Sequence, residues 1–351
     1  MKQILNMILD GKFNEILKFS ERVFRIALKP KNERGKNENE FINENVKLEG
    51  NKNNLTSFSQ KLFKLYALIE EEIKKEEFLE QLQLFTKELN NYVSTRDSQW
   101  VIKGFIDIFK NIYTLTDDTK LISKVIEIHL LPKFLEFADK YGYKIIFADK
   151  QNWYPDITFI SKKSETIKFA VDLKTTYITK YKNGKPYECN GFTLGSHGTY
   201  FVDRQSKKNI QFPYSEYLGH YVVGILYERN DKIKTYKKTK YKIEELENIS
   251  SVIKNFIVFA QEKWRIASDK SGSGNTANIG SVKRIKELLE GKGIFWQYFG
   301  EDGEKWFDEY WMNYGRIKIK DNKAKVKTIT SLEEFLRFKG VDVNKMRRRK
   351  V

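Results

Sequence analysis

The stretch YPDITFI (154–160), followed by FAVDLKTTY (169–177), decides how this chain reads. Pro155 holds Tyr154 extended and suits the start of a strand. Asp156 follows at once. Fifteen residues (157 to 171) lie between it and Asp172, room for a strand, the polar turn SKKSE and a second strand. On that second strand Asp172 and Lys174 are two apart, so their side chains leave the same face as Ala170, while Val171 and Leu173 point to the other. An Asp and a Lys inside an apolar strand are costly without a partner or a metal.

Two carboxylates from adjacent strands suit a hard divalent cation. Mg2+ takes one or two carboxylates, completing its shell with water and substrate phosphate. It can polarise a phosphodiester and lower the pKa of bound water. Lys174 is placed to orient or deprotonate that water, or to neutralise charge growing on the phosphate. Asp156, Asp172 and Lys174 are therefore the candidate cutting centre. The plain alternative is solvated charge on an edge strand, and the spacing by itself is a weak motif.

Upstream, TDDTKLISKVIEIHLLPKFLEFADKYGY (116–143) reads as an amphipathic helix, starting near Asp118 or Thr119 and ending near Gly142. β-like runs stand at 144–148, 156–160, 167–175, 220–228 and 255–260, and helical signals return at 281–291 and 331–340. Strands mixed with helices predict an α/β (α+β) core with a mixed central sheet flanked by helices. The N-terminal part differs. Ile4, Ile8, Phe13, Ile16, Leu17, Phe24 and Ile26 recur at helical spacing. Residues 30–54 are polar and read as a linker. Helical periodicity resumes from Leu55 to about Asn91, with EEEIKKEE as a solvated face. The N-terminal part is thus expected to be helical with a polar linker.

Charge narrows the partners. Lys plus Arg number 64 against 47 Asp plus Glu, a net charge of +17. Such a balance favours a polyanion, because each cation near a phosphate releases a counterion. Codon usage rich in Lys, Asn and Ile would produce the same excess. No apolar run approaches the ~20 residues of a membrane span. Met1–Asp10 lacks the pattern of a signal peptide, so a cytoplasmic protein is expected. The lone cysteine, Cys189, excludes an internal disulfide and a cysteine-based zinc site. His129 lies among Ile and Leu on a helix face, and His197 and His220 lack metal-type neighbours. All three read as structural.

The segments quoted so far resemble the PD-(D/E)xK nuclease superfamily and, within it, the EcoRV-type family of type II restriction endonucleases. The likeness runs, with gaps, from about residue 78 to the C-terminus, which implies a helical N-terminal extension over 1–77 and a domain over 78–351. TDDTKLISKVIEIHLLPKF resembles the family's active-site helix. QNWYPDITF and FAVDLKTTY resemble its two catalytic strands with the minor-groove loop before the first. SGSGNTANIGS (271–281) resembles its recognition loop, and GKGIF the segment after it. The resemblance implies that Asp156 and Asp172 bind Mg2+, that Lys174 is the catalytic lysine, and that Glu127 helps form a further metal site. Glu127 also reads as an ordinary helix-surface residue. Lys120 would lie near the DNA backbone, Gln151 and Asn152 near the minor groove, and Thr175 and Thr176 against DNA. Base reading would fall to Gly272, Gly274 and Asn275, with Thr276 and Asn278 beside them. The residues agree with that assignment. Glycines let the backbone approach base edges, and Asn275 offers the donor and acceptor that read adenine. No Gly-Lys-Ser/Thr follows, so a P-loop is not indicated.

As a whole, the resemblance implies a homodimer that cuts double-stranded DNA at a palindrome, GATATC with a blunt central cut, alongside a cognate DNA methyltransferase. A flexible central TA step would supply indirect readout. There are departures. Trp153 stands where the EcoRV type has histidine, Lys150 where it has glutamine, and Ala277 where it has threonine. YITKYKNGKPYECNGF (177–192) is longer than its counterpart, and residues 1–77 have none. Two other readings stay open: a structure-specific or repair nuclease on the same fold, and a DNA-binding module without catalysis.

Overall fold

The computed structural model describes residues 52–150, 152–230, 240–272, 277–320 and 326–343. It also describes scattered positions at 22, 26, 29, 33, 35–38, 346, 348 and 349. In the helix that begins at Lys52, side chains are described at 67 and from 70 onward. The chain packs as two units, Met1–Glu77 and Phe78–Val351. In the first, the 70–77 stretch is helical, with Lys74 paired to Glu70 and Lys75 to Glu72. The glutamates are exposed as expected, but Lys75 is buried. Most of the 30–54 linker reading lies outside the described residues.

The second unit is built on one mixed sheet. Helix α1 (Lys52–Val93) is followed by strands β1 (Gly104–Ile106) and β2 (Asn111–Thr114). Helix α2 (Thr119–Tyr141) comes next. Asp118 caps α2 by accepting from the N–H groups of Lys120 and Leu121, and Gly142 ends it in the left-handed conformation at φ 77°. Then come β3 (Tyr143–Phe147), β4 (Ile157–Ser161), β5 (Lys168–Lys182), β6 (Lys185–Cys189), β7 (Thr193–Ser196) and β8 (Gly219–Arg229). Strands β9 (Lys240–Lys242), β10 (Ile253–Glu262), β11 (Ala267–Ser271) and β12 (Asn278–Ser281) complete the main set. The central order is β10-β8-β5-β4-β3, with β6 paired to the far part of β5. Strands β5 and β8 run parallel, while the β3–β4, β4–β5 and β8–β10 pairs are antiparallel.

Both faces of this sheet are covered, which is why its middle strands are apolar on both sides. On one face lie α2 and the α1 residues from Phe78 on. Phe78, Leu82, Phe85 and Leu89 recur at helical spacing, and Phe78 stacks on Phe169 of β5 at 4.1 Å. Ile122, Ile126, Leu130 and Phe134 of α2 join the same cluster, with Val171 from β5. Ala170 and Val222 lie in the cluster on the opposite face, with Trp264, Phe295, Tyr310 and Trp311. The predicted alternation of Ala170 against Val171 thus separates the two cores.

The expected N-terminal helix through Ile4–Ile26 lies almost wholly outside the described residues; from residue 116 on, the expected elements are present with shifted limits. Strand β5 runs seven residues beyond its predicted end at 175, as far as Lys182. The predicted helix at 281–291 begins as the end of β12, and only Ile285–Glu290 is helical. Ser281 is held in a small sheet of order β11-β12-β7, so tertiary pairing outweighs its helical pattern. Among the described residues, no helix is long and apolar enough to cross a membrane.

Candidate active site

Asp156 lies at the mouth of β4, directly after a cis Tyr154–Pro155 peptide. Asp172 and Lys174 stand on β5, whose pairing with β4 places Val171 beside Ile157. The register therefore brings Asp156 next to Asp172. Asp156 Oδ2 accepts from the Leu173 N–H at 2.8 Å, and the Asp156 N–H donates to Asp172 Oδ1 at 3.2 Å. Lys174 Nζ sits 3.0 Å from Asp172 Oδ2 and 3.6 Å from Asp156 Oδ2. The ammonium bridges the pair.

Solvation differs between the two carboxylates. The side chain of Asp172 is 6% exposed, that of Asp156 33%. Desolvation, aided by repulsion from Asp172 and Glu127, pushes Asp156 up to about 6, against the opposing pull of Lys174 and the Leu173 N–H. For Lys174, burial favours the neutral amine, but Asp172 and Asp156 outweigh it and hold the ammonium above its ordinary value.

Glu127 reaches the same place from α2. It lines a cavity of about 400 Å3 with Asp156, Lys174, Lys150 and Phe134, and it pairs with Lys124. An adjoining cleft of about 920 Å3 shares Glu127 and Lys174 and is lined further by Lys120, Ser123, Thr175 and Arg229. Thr175 is hydrogen-bonded to Ser123 across the cleft floor. Thr176, expected against DNA, also lines this cleft; it is mostly buried and donates its hydroxyl to the Asn190 carbonyl at 2.9 Å. Its alternate position on the strand turns it away from Thr175.

The described ends of the 271–281 segment line a separate cleft of about 560 Å3, through Ser271, Gly272, Gly280 and Ser281, together with Lys270, Lys283 and Arg284. Residues 190–192 line both this cleft and the larger one beside Lys174. A Cβ on Gly272 would come within 2.5 Å of the Thr193 side chain, so this glycine is required by packing. Its N–H donates to the Asn278 carbonyl at 2.9 Å, and Asn278 pairs with Ser196 across β12 and β7. Asn152 is exposed in a turn. Gln151, Gly274, Asn275 and Thr276 lie outside the described residues.

The histidines are packed. His129 stacks on Tyr92 at 4.5 Å, and burial lowers its pKa. His220 stacks on Tyr214 at 3.8 Å and bonds Tyr154 Oη through Nδ1 at 2.9 Å. His197 is buried beside Trp311.

Sequence reasoning missed what underlies the site. Lys263 is 2% exposed, and its Nζ lies 4.7 Å from the Tyr154 ring and 5.4 Å from those of Phe201 and Tyr214. It has no hydrogen-bond partner among the described residues, and burial lowers it to about 7. Nothing in EKWRIA marks it, because the cage comes from three distant segments. Arg229, stacked 3.8 Å over Tyr177, was equally hidden at the end of an apolar strand.

Can these residues hold a divalent ion? Among the described residues, no group of three or more His, Cys, Asp or Glu gathers as a metal cage. Two oxygen-donor carboxylates beside an open cavity fit an ion that keeps water and takes substrate oxygens, and do not fit a closed structural site.

Comparison with known proteins agrees with this geometry. The family profile described as Restriction endonuclease EcoRV matches residues 96–340. The Type II restriction enzyme EcoRV of Escherichia coli is 39% identical over 230 residues, covering 65% of this chain and 88% of that enzyme. Among solved structures, NlaIV restriction endonuclease aligns over 72% of this chain and 94% of its own, with 13% identity and a TM-score of 0.30, too loose a match to bear on the argument. The matched span contains β4 and β5 with Asp156, Asp172 and Lys174, the α2 helix and residues 271–281, and on that ground the chain belongs to the EcoRV restriction endonuclease family, the site-specific deoxyribonucleases.

Proposed function

We propose that this enzyme hydrolyses both strands of duplex DNA at a palindromic site with Mg2+, through Asp156, Asp172 and Lys174. The carrying observation is the bridged pair: two carboxylates, locked to each other by backbone hydrogen bonds, already share one cation, the Lys174 ammonium. Asp156 and Asp172 would hold the metal, and Glu127, across the same cavity, would contribute to a further ion. When bound, the ion supplies Lewis-acid polarisation of the phosphate and a more acidic water. Lys174 orients that water or offsets the charge that develops on the phosphate. Lys120 and Thr175 line the cleft that leads to the pair, where a DNA backbone would lie.

A homodimer reading is supported by a hairpin whose apolar residues face outward. Ile108 is 90% exposed and Phe109 73%, beside Phe105, Ile106 and Tyr113. A patch of this kind on a folded surface marks an interaction site. Two subunits about a two-fold axis would each cut one strand of a palindrome. The family relationship supports GATATC with a blunt cut, and with it a methyltransferase that protects the host site.

The test is plasmid DNA incubated with the protein and Mg2+, with cut ends mapped. Discrete fragments ending blunt within GATATC are expected. Discrete fragments at another sequence would reject the site and keep the enzyme class. Cuts at junctions or ends would favour a structure-specific nuclease, and intact DNA throughout would favour a binding module.

A further inference from the structure

The segment that is longer than its family counterpart forms a protruding β-ribbon. Strand β5 pairs with β8 only as far as Tyr177 opposite Tyr227. Beyond that point its one sheet partner among the described residues is β6, joined to it by a turn at Asn183 and Gly184 with φ 52° and 71°. An Asn-Gly pair with both residues at positive φ is the turn that a two-residue hairpin needs. Register breaks between Ile178 and Lys180 and between Lys180 and Tyr181 bend the ribbon. Every residue from 179 to 185 is exposed.

The root of the ribbon is clamped. The Cys189 N–H donates to the Lys283 carbonyl at 3.0 Å, the Asn190 N–H to the Tyr177 carbonyl at 2.9 Å, and Thr176 Oγ1 to Asn190. The tip carries charge. Lys180 is neutralised by Glu188 at 2.6 Å. Lys182 and Lys185 sit directly opposite each other; Lys182 Nζ lies 5.4 Å from the Tyr187 ring, and neither lysine has an ionic partner among the described residues. Like charges opposed across a hairpin destabilise it. Lysines do guard exposed strand edges, but edge protection does not require two of them face to face. An anion that both can reach would remove the repulsion.

Strand β5 also carries Lys174. From Lys174 to Lys182 is eight residues, up to about 26 Å along an extended strand, or roughly eight base pairs of duplex. The wall formed by residues 190–192 connects the ribbon root to both clefts. We propose that the Thr179–Glu188 ribbon is an arm that holds DNA phosphates flanking the cleaved site, with Lys182 and Lys185 as its contacts. This rests on the duplex-DNA reading of the clefts.

The test compares binding to two fluorescein-labelled duplexes, about 12 and about 36 base pairs long. Both are centred on GATATC, with no divalent ion present, and anisotropy is followed across a salt series. For K182A/K185A, which removes two lysines from each of two subunits, the slope of log affinity against log salt should fall by about 3.6 on the long duplex and stay unchanged on the short one. K182R/K185R should restore the slope. An equal change on both duplexes, or none on either, would overturn the arm. Should the wild type bind neither duplex, the DNA reading itself fails, and the arm with it.

Discussion

Asp156 and Asp172 are tied to each other through the main chain: the Asp156 N–H donates to Asp172 Oδ1 at 3.2 Å. Asp156 Oδ2 in turn accepts from the Leu173 N–H at 2.8 Å, the amide next to Asp172. The two carboxylates are therefore positioned by strand pairing, with little left to side-chain freedom. A site held this way is ready before any ligand arrives.

Asp172→Ala removes half of the pair and leaves the Asp156 N–H without its acceptor. Cleavage should fall by at least ~10³-fold, while affinity for duplex DNA stays within a few-fold of wild type. Plasmid cleavage beside a gel-shift titration checks both. Cutting within tenfold of wild type would remove Asp172 from the chemistry.

The pH response follows from Asp156, raised to about 6 by desolvation first and Asp172 next. Cleavage should decline as pH drops through about 6, where that carboxylate takes its proton. Stability has the opposite sign. A raised folded pKa favours the protonated native state, so stability is lost as pH rises from the ordinary carboxylate range through about 6. Asp156→Asn, which keeps an oxygen for the Leu173 N–H, should melt above wild type at pH 8. Below pH 4 the difference should close. Equal melting points at pH 8 would contradict the shift.

Lys263 is a buried amine against three aromatic faces with no hydrogen-bond partner among the described residues. Burial lowers its pKa to about 7. The cost of charging it is absent above the unfolded pKa, grows as pH falls, and is complete below about 7. Lys263→Met keeps the length of the chain and drops the charge. It should stabilise the fold at pH 6, on the order of 2 kcal/mol, with the gain shrinking towards pH 10. Thermal melts across pH would show it, and destabilisation at pH 6 would count against the cage as described.

Gly224 stands opposite Lys174 in the parallel β5–β8 register. A Cβ there would meet the Phe259 ring at 2.2 Å. Gly224→Ala should cost about 1–3 kcal/mol and lower cleavage as well, because the strand that aligns Lys174 must shift. Denaturant unfolding with parallel cleavage assays measures both effects. A neutral outcome would mean that Phe259 moves aside freely.

Much of this protein is settled by local sequence. The caps of α2 at Asp118 and Gly142 follow from residue chemistry. So does the placement of Ala170 and Val171 in opposite cores, since strand alternation alone sets side-chain direction. The same alternation puts Asp172 and Lys174 on one face, where the ammonium lies 3.0 Å from the carboxylate. Other features were decided only by tertiary structure. The reach of β5 to Lys182 depends on β6 as a partner, and the Asn183–Gly184 turn signal lay inside a segment noted only for its length. Burial of Thr176 depends on the Asn190 carbonyl, fourteen residues away. The Lys263 cage joins Tyr154, Phe201 and Tyr214, brought together from separate parts of the chain. Local pattern fixes which way a side chain points. What it meets there, and so its charge, solvation and role, is fixed by segments that only the folded chain brings near.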